Sequence, residues 1–229
     1  MAIPADIIAT ITSLRDTTHD TRVFLLHPHA DNYAFLPGQH CLVDAGLQRP
    51  RPFSFTTSPL QGPGFELAIK REGVLTDRMF ALKAGDLVHV SRPLSSRLSL
   101  QPNDGELAMV AGGTGVTPFM SIIRDAALRH LSTTLWLLCA HRTAADIIFR
   151  TELEELSRAH PALTVVFTLT RERPADWPGE HGRIDAAMLH RQFPDWLRPR
   201  WLLCGPPLMV VALRRELLAA GVPAGRVAV

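Results

Sequence analysis

The stretch Leu107-Ala108-Met109-Val110-Ala111-Gly112-Gly113-Thr114-Gly115-Val116-Thr117-Pro118 decides how the chain is read. Leu107–Ala111 is uniformly apolar, as a strand buried on both faces must be. Three glycines follow within four residues, and Phe119–His130 has the periodicity of an amphipathic helix. Strand, glycine-rich turn and helix together make the opening of a nucleotide-binding unit. Glycines let the backbone approach a ligand closely, and a helix N-terminus offers unpaired N–H groups to phosphate. Taken alone, the turn is equally compatible with a tight connection that binds nothing.

From this point to the end, apolar runs alternate with helical patterns. Leu107–Ala111, Leu135–Ala140, Thr164–Leu169 and Trp201–Cys204 read as strands, and Thr117–His130, Ala144–Ala159, Asp185–Phe193 and Pro207–Ala220 as helices. That order predicts a parallel sheet covered by helices, with ligands at the C-terminal strand ends. In that frame Thr117 is expected to cap its helix and Pro118 to occupy the first helical position.

Upstream the pattern is different. Ile7–Leu14, Thr21–His27, Cys41–Asp44, Phe53–Thr57, Phe65–Lys70 and Leu87–Ser91 are short strands separated by turn residues, with one helix at Asp77–Leu82. Such spacing predicts an antiparallel barrel or sandwich. The polar cluster Gln101-Pro102-Asn103-Asp104-Gly105 marks the boundary. The expected organisation is a β-barrel domain over residues 1–101 and an open α/β domain over residues 102–229.

Bulk composition bounds the function. The 229 residues carry a net charge of +2, too small to argue for nucleic acid. Of 24 basic residues only Lys70 and Lys83 are lysines, which leaves 22 arginines, the side chain suited to bidentate phosphate binding. Cys41, Cys139 and Cys204 are far apart, and no cysteine cluster for a metal or iron–sulfur centre exists. No metal site is expected. An odd cysteine count, no signal-peptide pattern and no apolar run near ~20 residues give the expectation of a cytoplasmic protein without membrane contact. Nucleophile-elbow and zinc-helix motifs are missing too.

Four segments resemble the ferredoxin–NADP reductase-like family of flavoenzymes, in family order: Phe35-Leu36-Pro37-Gly38-Gln39, Arg51-Pro52-Phe53-Ser54, Gly112-Gly113-Thr114-Gly115-Val116-Thr117-Pro118 and Cys204-Gly205-Pro206-Pro207. The resemblance implies a Greek-key-type flavin-binding barrel followed by a nicotinamide-nucleotide domain. It implies FAD as cofactor, NADPH or NADH as co-substrate, and hydride transfer from nicotinamide C4 to flavin N5. Electrons would then pass to a separate carrier such as a ferredoxin, a flavodoxin or an oxygenase component; ferric chelates or free flavin remain open as acceptors.

The residues agree with that assignment on their own chemistry. Arg51, before Pro52, supplies a positive fork for a flavin phosphate. Phe53 offers a face for the isoalloxazine ring, although either Phe53 or Phe55 is expected in the core. Ser54 offers a hydroxyl to N5. Lys70 and the turn Gly73-Val74-Leu75-Thr76 fall where the family holds the flavin pyrophosphate, with Thr76 equally suited to cap a helix. Gly112, Gly113, Thr114, Gly115 and Thr117 would line the nucleotide, as would Gly205 and Pro206 of the last strand-to-helix turn. Cys204 would border the hydride-transfer site together with Ser54. Arg142 and Arg171 follow the second and third parallel strands and favour NADPH through its 2′-phosphate, while Glu172 and Asp146 close by, and arginines in these turns of NADH-dependent relatives, keep NADH open.

Three departures are visible. Gly73 stands where paired glycines are usual, Arg92-Pro93-Leu94 replaces a Gly-Pro-Gly loop, and the sequence stops at Gly225-Arg226-Val227-Ala228-Val229, without the family's glutamate and terminal aromatic residue. These bear on FAD against FMN and on what covers the flavin. They also keep a rival reading in view, a non-catalytic nucleotide- or partner-binding module of the same fold.

Overall fold

The computed structural model describes residues 5–229 apart from Pro102 and Pro194; Pro102, within the expected boundary turn, thus lies outside the described residues. The chain forms two units, residues 1–100 with 117–129, and residues 101–116 with 130–229.

The first unit is a six-stranded antiparallel sheet of β1 (Ile7–Thr18), β2 (Thr21–Pro28), β3 (His40–Asp44), β4 (Arg51–Ser54), β5 (Phe65–Lys70) and β6 (Leu87–Val90), in the order β4-β3-β6-β1-β2-β5. Its edges come together at one antiparallel bridge, Phe55 with Leu67, where the Thr56 N–H donates to the Glu66 carbonyl at 2.9 Å. The sheet curls to this near-closure because alternate residues turn inward: Ala9, Ile11, Phe24, Leu26, Cys41, Val43, Phe55, Phe65 and Leu67 form one buried core. Helix α1 spans Val74–Phe80 and starts three residues earlier than the expected Asp77. Its cap is Gly73 at φ 103°, not Thr76. Thr76 lies inside the first turn, where its hydroxyl donates to the Gly73 carbonyl and accepts the Glu72 N–H.

The second unit is a six-stranded, all-parallel sheet of β7 (Glu106–Gly112), β8 (Thr134–His141), β9 (Leu163–Leu169), β10 (Glu180–His181), β11 (Arg200–Cys204) and β12 (Val227–Ala228). The order is β10-β9-β8-β7-β11-β12. Strand order therefore reverses between β7 and β11, which makes that pair the switch point where open α/β sheets place a crevice for ligand. Helices α3 (Arg150–Ala159), α4 (Ala186–Gln192) and α5 (Pro207–Ala219) belong to this unit.

Helix α2 (Thr117–Leu128) follows β7 in sequence but packs with the first unit. Helical winding begins before it. A 3-10 turn, Gly113–Val116, runs straight into α2, so Thr117 sits inside a continuous helical path and not at an isolated cap with Pro118 as its first residue. The single helix expected over Ala144–Ala159 is also divided. A 3-10 turn at Ala144–Asp146 is separated from α3 by Phe149, which is buried in the left-handed region at φ 61°. A bulky residue takes that conformation only where its surroundings hold it there.

Candidate functional site

Two groups of site residues emerge, one in each unit. In the first unit Arg51, Phe53 and Ser54 all lie on β4. Arg51 is exposed and has no ion-pair partner among the described residues. Phe53 is half-buried at the margin of the core, while Phe55 is wholly inside it, so Phe55 is the core member of the pair. Ser54 is half-exposed and directly opposite His40 on β3. Burial holds the His40 imidazole below its ordinary 6.5, so it is neutral at pH 7. His40 lies one residue after the Phe35–Gln39 turn, at the first position of β3.

β4 runs antiparallel to β5 at the Phe55–Leu67 bridge, so the start of β4 and the end of β5 point toward one end of the sheet. Lys70 is there, but its ammonium is 3.1 Å from the Asp20 carboxylate and 3.8 Å from that of Glu72. Arg71 pairs with Asp77 at 2.7 Å. Gly73 and Val74 are exposed, and Leu75 packs into the core. Arg92 reaches back to the carbonyls of Asp31 and Asn32 at 3.2 and 3.5 Å, and the Leu94 N–H donates to the His40 carbonyl at 2.8 Å. The loop that departs from Gly-Pro-Gly is thus tied down by a side chain which that sequence would lack.

In the second unit the glycine turn after β7 and the turn after β11 lie back to back. A Cβ on Gly115 would stand 2.1 Å from the Cys204 carbonyl oxygen, and one on Gly112 would stand 2.7 Å from Pro206 Cδ and 2.9 Å from Met209 Sδ. A Cβ on Gly205, at φ 150°, would meet the Gly112 nitrogen at 2.8 Å. These three glycines make room for protein. Gly113 alone among the turn's glycines, at φ 55°, has nothing within 4 Å of its Cβ position, so close approach of a ligand is available there.

Cys204 ends β11 half-buried. Burial raises its thiol to about 11 from 9, so the protonated form holds throughout the neutral range. Cys41 and Cys139 are fully buried. Alkylation of the native protein by iodoacetamide is therefore expected to report Cys204 alone, its rate climbing about tenfold per pH unit from pH 8 to 10 without levelling, because only thiolate reacts; a plateau at pH 9, measured by intact mass, would refute that.

At the C-terminal ends of β8 and β9 the Arg171 N–H donates to the Arg142 carbonyl at 2.9 Å, which sets the two loops side by side. Both arginines are exposed, and neither has an ion-pair partner among the described residues. The nearby carboxylates are engaged by the 143–144 turn. Glu172 accepts from the Ala144 N–H at 2.6 Å, and Asp146 accepts from the N–H and hydroxyl of Thr143. Arg183, which the sequence reading did not single out, follows Gly182, whose N–H donates to the carbonyl of Leu169; its side chain is exposed as well.

Among the described residues no group of His, Cys, Asp and Glu could hold a metal ion, and no helix is long and apolar enough to cross a membrane.

Residues 109–215 match the family described as the oxidoreductase NAD-binding domain. NADH-cytochrome b5 reductase 1 of Dictyostelium discoideum is 30% identical over 214 residues, covering 89% of this chain and 74% of the relative. The chain belongs to the ferredoxin–NADP reductase-like family, whose members are NAD(P)H-dependent flavoprotein reductases. The ferredoxin–NAD(P)(+) reductase component of the naphthalene 1,2-dioxygenase/salicylate 5-hydroxylase systems of Ralstonia is 29% identical, covering 98% of this chain and 68% of that one. The crystal structure of an Amycolatopsis cytochrome P450 reductase superimposes with a TM-score of 0.86 at 28% identity, over 97% of this chain and 68% of the other. The β-barrel and parallel-sheet architecture expected from strand spacing is the fold of these family members.

Proposed function

We propose that the chain oxidises NADPH in preference to NADH, holds FAD on β4 and the β5–α1 turn, and feeds electrons to a separate one-electron carrier. Bound together, the two cofactors supply the chemistry: nicotinamide gives a hydride, and flavin accepts it and releases electrons singly. The observation that carries the reading is β4 itself, where an exposed, unpaired Arg51, a half-exposed Phe53 ring and the Ser54 hydroxyl stand in a chain of this family.

The chain's own residues then have distinct tasks. Arg51 binds a flavin phosphate. Lys70 is already neutralised by Asp20, so the exposed backbone at Gly73–Val74 shares that anion instead of the lysine. Phe53 fixes the plane of the ring, and Ser54 offers a hydrogen bond at N5. His40, kept neutral by burial, stands opposite Ser54 in the β3–β4 ladder and adds no charge there. The backbone at Gly113 and Thr114 receives the nucleotide, Gly112, Gly115, Gly205 and Pro206 keep the two turns interlocked, and Thr117 starts α2. Cys204, a neutral thiol at a strand end, borders the nicotinamide without adding charge.

Arg142, Arg171 and Arg183 support the preference for NADPH. Carboxylates that would reward a bare ribose are spent on capping, whereas the guanidinium groups are unengaged. Replacing Arg142 and Arg171 together by alanine is expected to raise KM for NADPH about tenfold while KM for NADH changes less than twofold. Equal changes for both nucleotides would remove the 2′-phosphate assignment. A separate carrier is supported by the acceptors for which relatives are named, cytochrome b5, an oxygenase ferredoxin and a P450; within residues 1–229 the three cysteines form no cluster. The test of the whole reading is direct. The purified protein should absorb near ~450 nm, bleach with NADPH, and reduce ferricyanide with either nucleotide. A colourless protein that takes up no added flavin would instead favour the non-catalytic reading.

A further inference from the structure

We propose that Ser121, Arg124 and Asp125 of α2 are positioning residues that fix the end of β4, and with it Phe53 and Ser54, by gripping the three consecutive residues Thr56, Thr57 and Ser58. The inference rests on the reading that Phe53 and Ser54 face the flavin.

The ladder that holds β4 is short. It pairs with β3 from Arg51 to Ser54, and beyond Ser54 the Phe55 N–H donates to the Gln39 carbonyl at 3.1 Å and a single bridge joins Phe55 to Leu67. Past that bridge, among the described residues, no strand pairing sets the direction of the Thr56 and Thr57 carbonyls. Here the next three residues are held from the other side. Arg124 Nη1 donates to the Thr56 carbonyl at 2.9 Å and to Glu66 Oε2 at 2.8 Å. The Ser121 hydroxyl donates to the Thr57 carbonyl, and the Ser58 hydroxyl donates to Asp125 Oδ1 at 2.7 Å. Glu66, the shared anchor, is also met by Arg15, and its backbone bonds Thr56 and Thr57. The gripping positions are i, i+3 and i+4, so they occupy one helix face. All six residues are buried, Arg124 at 6% and Asp125 at 2% exposure.

Adhesion does not require this arrangement. Phe119, Met120, Ile122, Ile123 and Ala126 already bury α2 with apolar surface. Burying an arginine and an aspartate costs desolvation that packed hydrophobes would avoid. Hydrogen bonds add what apolar contact lacks, a fixed direction for each carbonyl and hence one register for the backbone two to four residues after Ser54. In hydride transfer a small misplacement of the accepting atom is expensive in rate, so such a register has a use.

The test uses the full-length holoprotein with its flavin. Ser121→Ala and Ser58→Ala, singly and together, are compared with Ser54→Ala. The readouts are the visible circular dichroism of the bound flavin, kcat and KM with NADPH and ferricyanide, and the melting temperature. The expected result is an altered flavin dichroism in the α2-clamp variants like that of Ser54→Ala, with kcat reduced about tenfold and KM changed less than twofold. Ser121→Thr, which keeps the hydroxyl, should restore both, and it carries the comparison if the double variant does not fold. A lowered melting temperature with unchanged dichroism and kcat would overturn the proposal and leave the flavin reading intact. Unchanged dichroism and kcat in Ser54→Ala would overturn the flavin reading, and this inference with it.

Discussion

Gly115→Ala is expected to give a protein destabilised by at least about 3 kcal/mol, because the new Cβ would stand 2.1 Å from a backbone oxygen that cannot swing away. The Cys204 carbonyl belongs to β11, which is hydrogen-bonded to β7 along Arg200–Cys204, so relieving the clash means parting β7 and β11 at their C-terminal ends. In a chain of this length the melting temperature should fall by about 6–12 °C. Gly113→Ala is the control. Its Cβ meets nothing within 4 Å, and the cost is limited to a left-handed backbone, about 1 kcal/mol. It should melt close to the parent yet raise KM for the nucleotide, since it occupies the open side of the turn. Thermal melts of the two variants decide the matter: equal melting temperatures would show that the turns do not interlock as described.

That contrast marks the limit of what sequence could tell about this turn. The apolar runs Leu107–Ala111, Leu135–Ala140 and Trp201–Cys204 are legible as parallel strands because burial on both faces leaves no polar position. The glycines between Ala111 and Val116 are legible as a special turn. Which glycine faces open space and which faces protein is settled by residues about ninety positions away, at Cys204–Met209, and no local pattern encodes it. The same distance hides the partners of α2. Ser121, Arg124 and Asp125 read as ordinary polar positions on a helix until Thr56–Ser58, more than sixty residues earlier, are placed against them. The break in the helix at Phe149 was illegible for another reason. Phenylalanine has no preference for the left-handed region, and the apolar run Ile147-Ile148-Phe149 continues a helical pattern smoothly. Thr76 misled through its chemistry, since a threonine near a glycine turn is a good cap, and here it serves the same turn from within. On β4 the motif Arg51-Pro52-Phe53-Ser54 was legible. That Arg51 stays unengaged while Lys70 is paired with Asp20 was not, because ion pairing depends on which carboxylates the fold delivers.

Arg51→Ala should therefore weaken flavin binding about 10- to 100-fold, the worth of a charge-assisted contact to a phosphate for which the nearby cations Lys70 and Arg71 are already paired elsewhere. Lys70→Ala should do much less, since its ammonium already faces Asp20 and Glu72. The asymmetry is the informative part, because on sequence grounds the two cations are equivalent candidates for the same anion. Fluorescence titration of the flavin-free protein measures both dissociation constants, and raising the salt from 50 to 500 mM should narrow the gap between parent and Arg51→Ala as the phosphate contact is screened. Arg51→Lys separates charge from geometry: a point charge keeps part of the attraction but loses the two-pronged fork, so an intermediate affinity is expected. If Lys70→Ala proved the more damaging change, the Asp20 pair would have to open when flavin binds, and the phosphate would lie at the end of β5 and not at the start of β4. Both substitutions are needed because each alone would weaken flavin binding under either placement of the phosphate, and only their ranking separates the two.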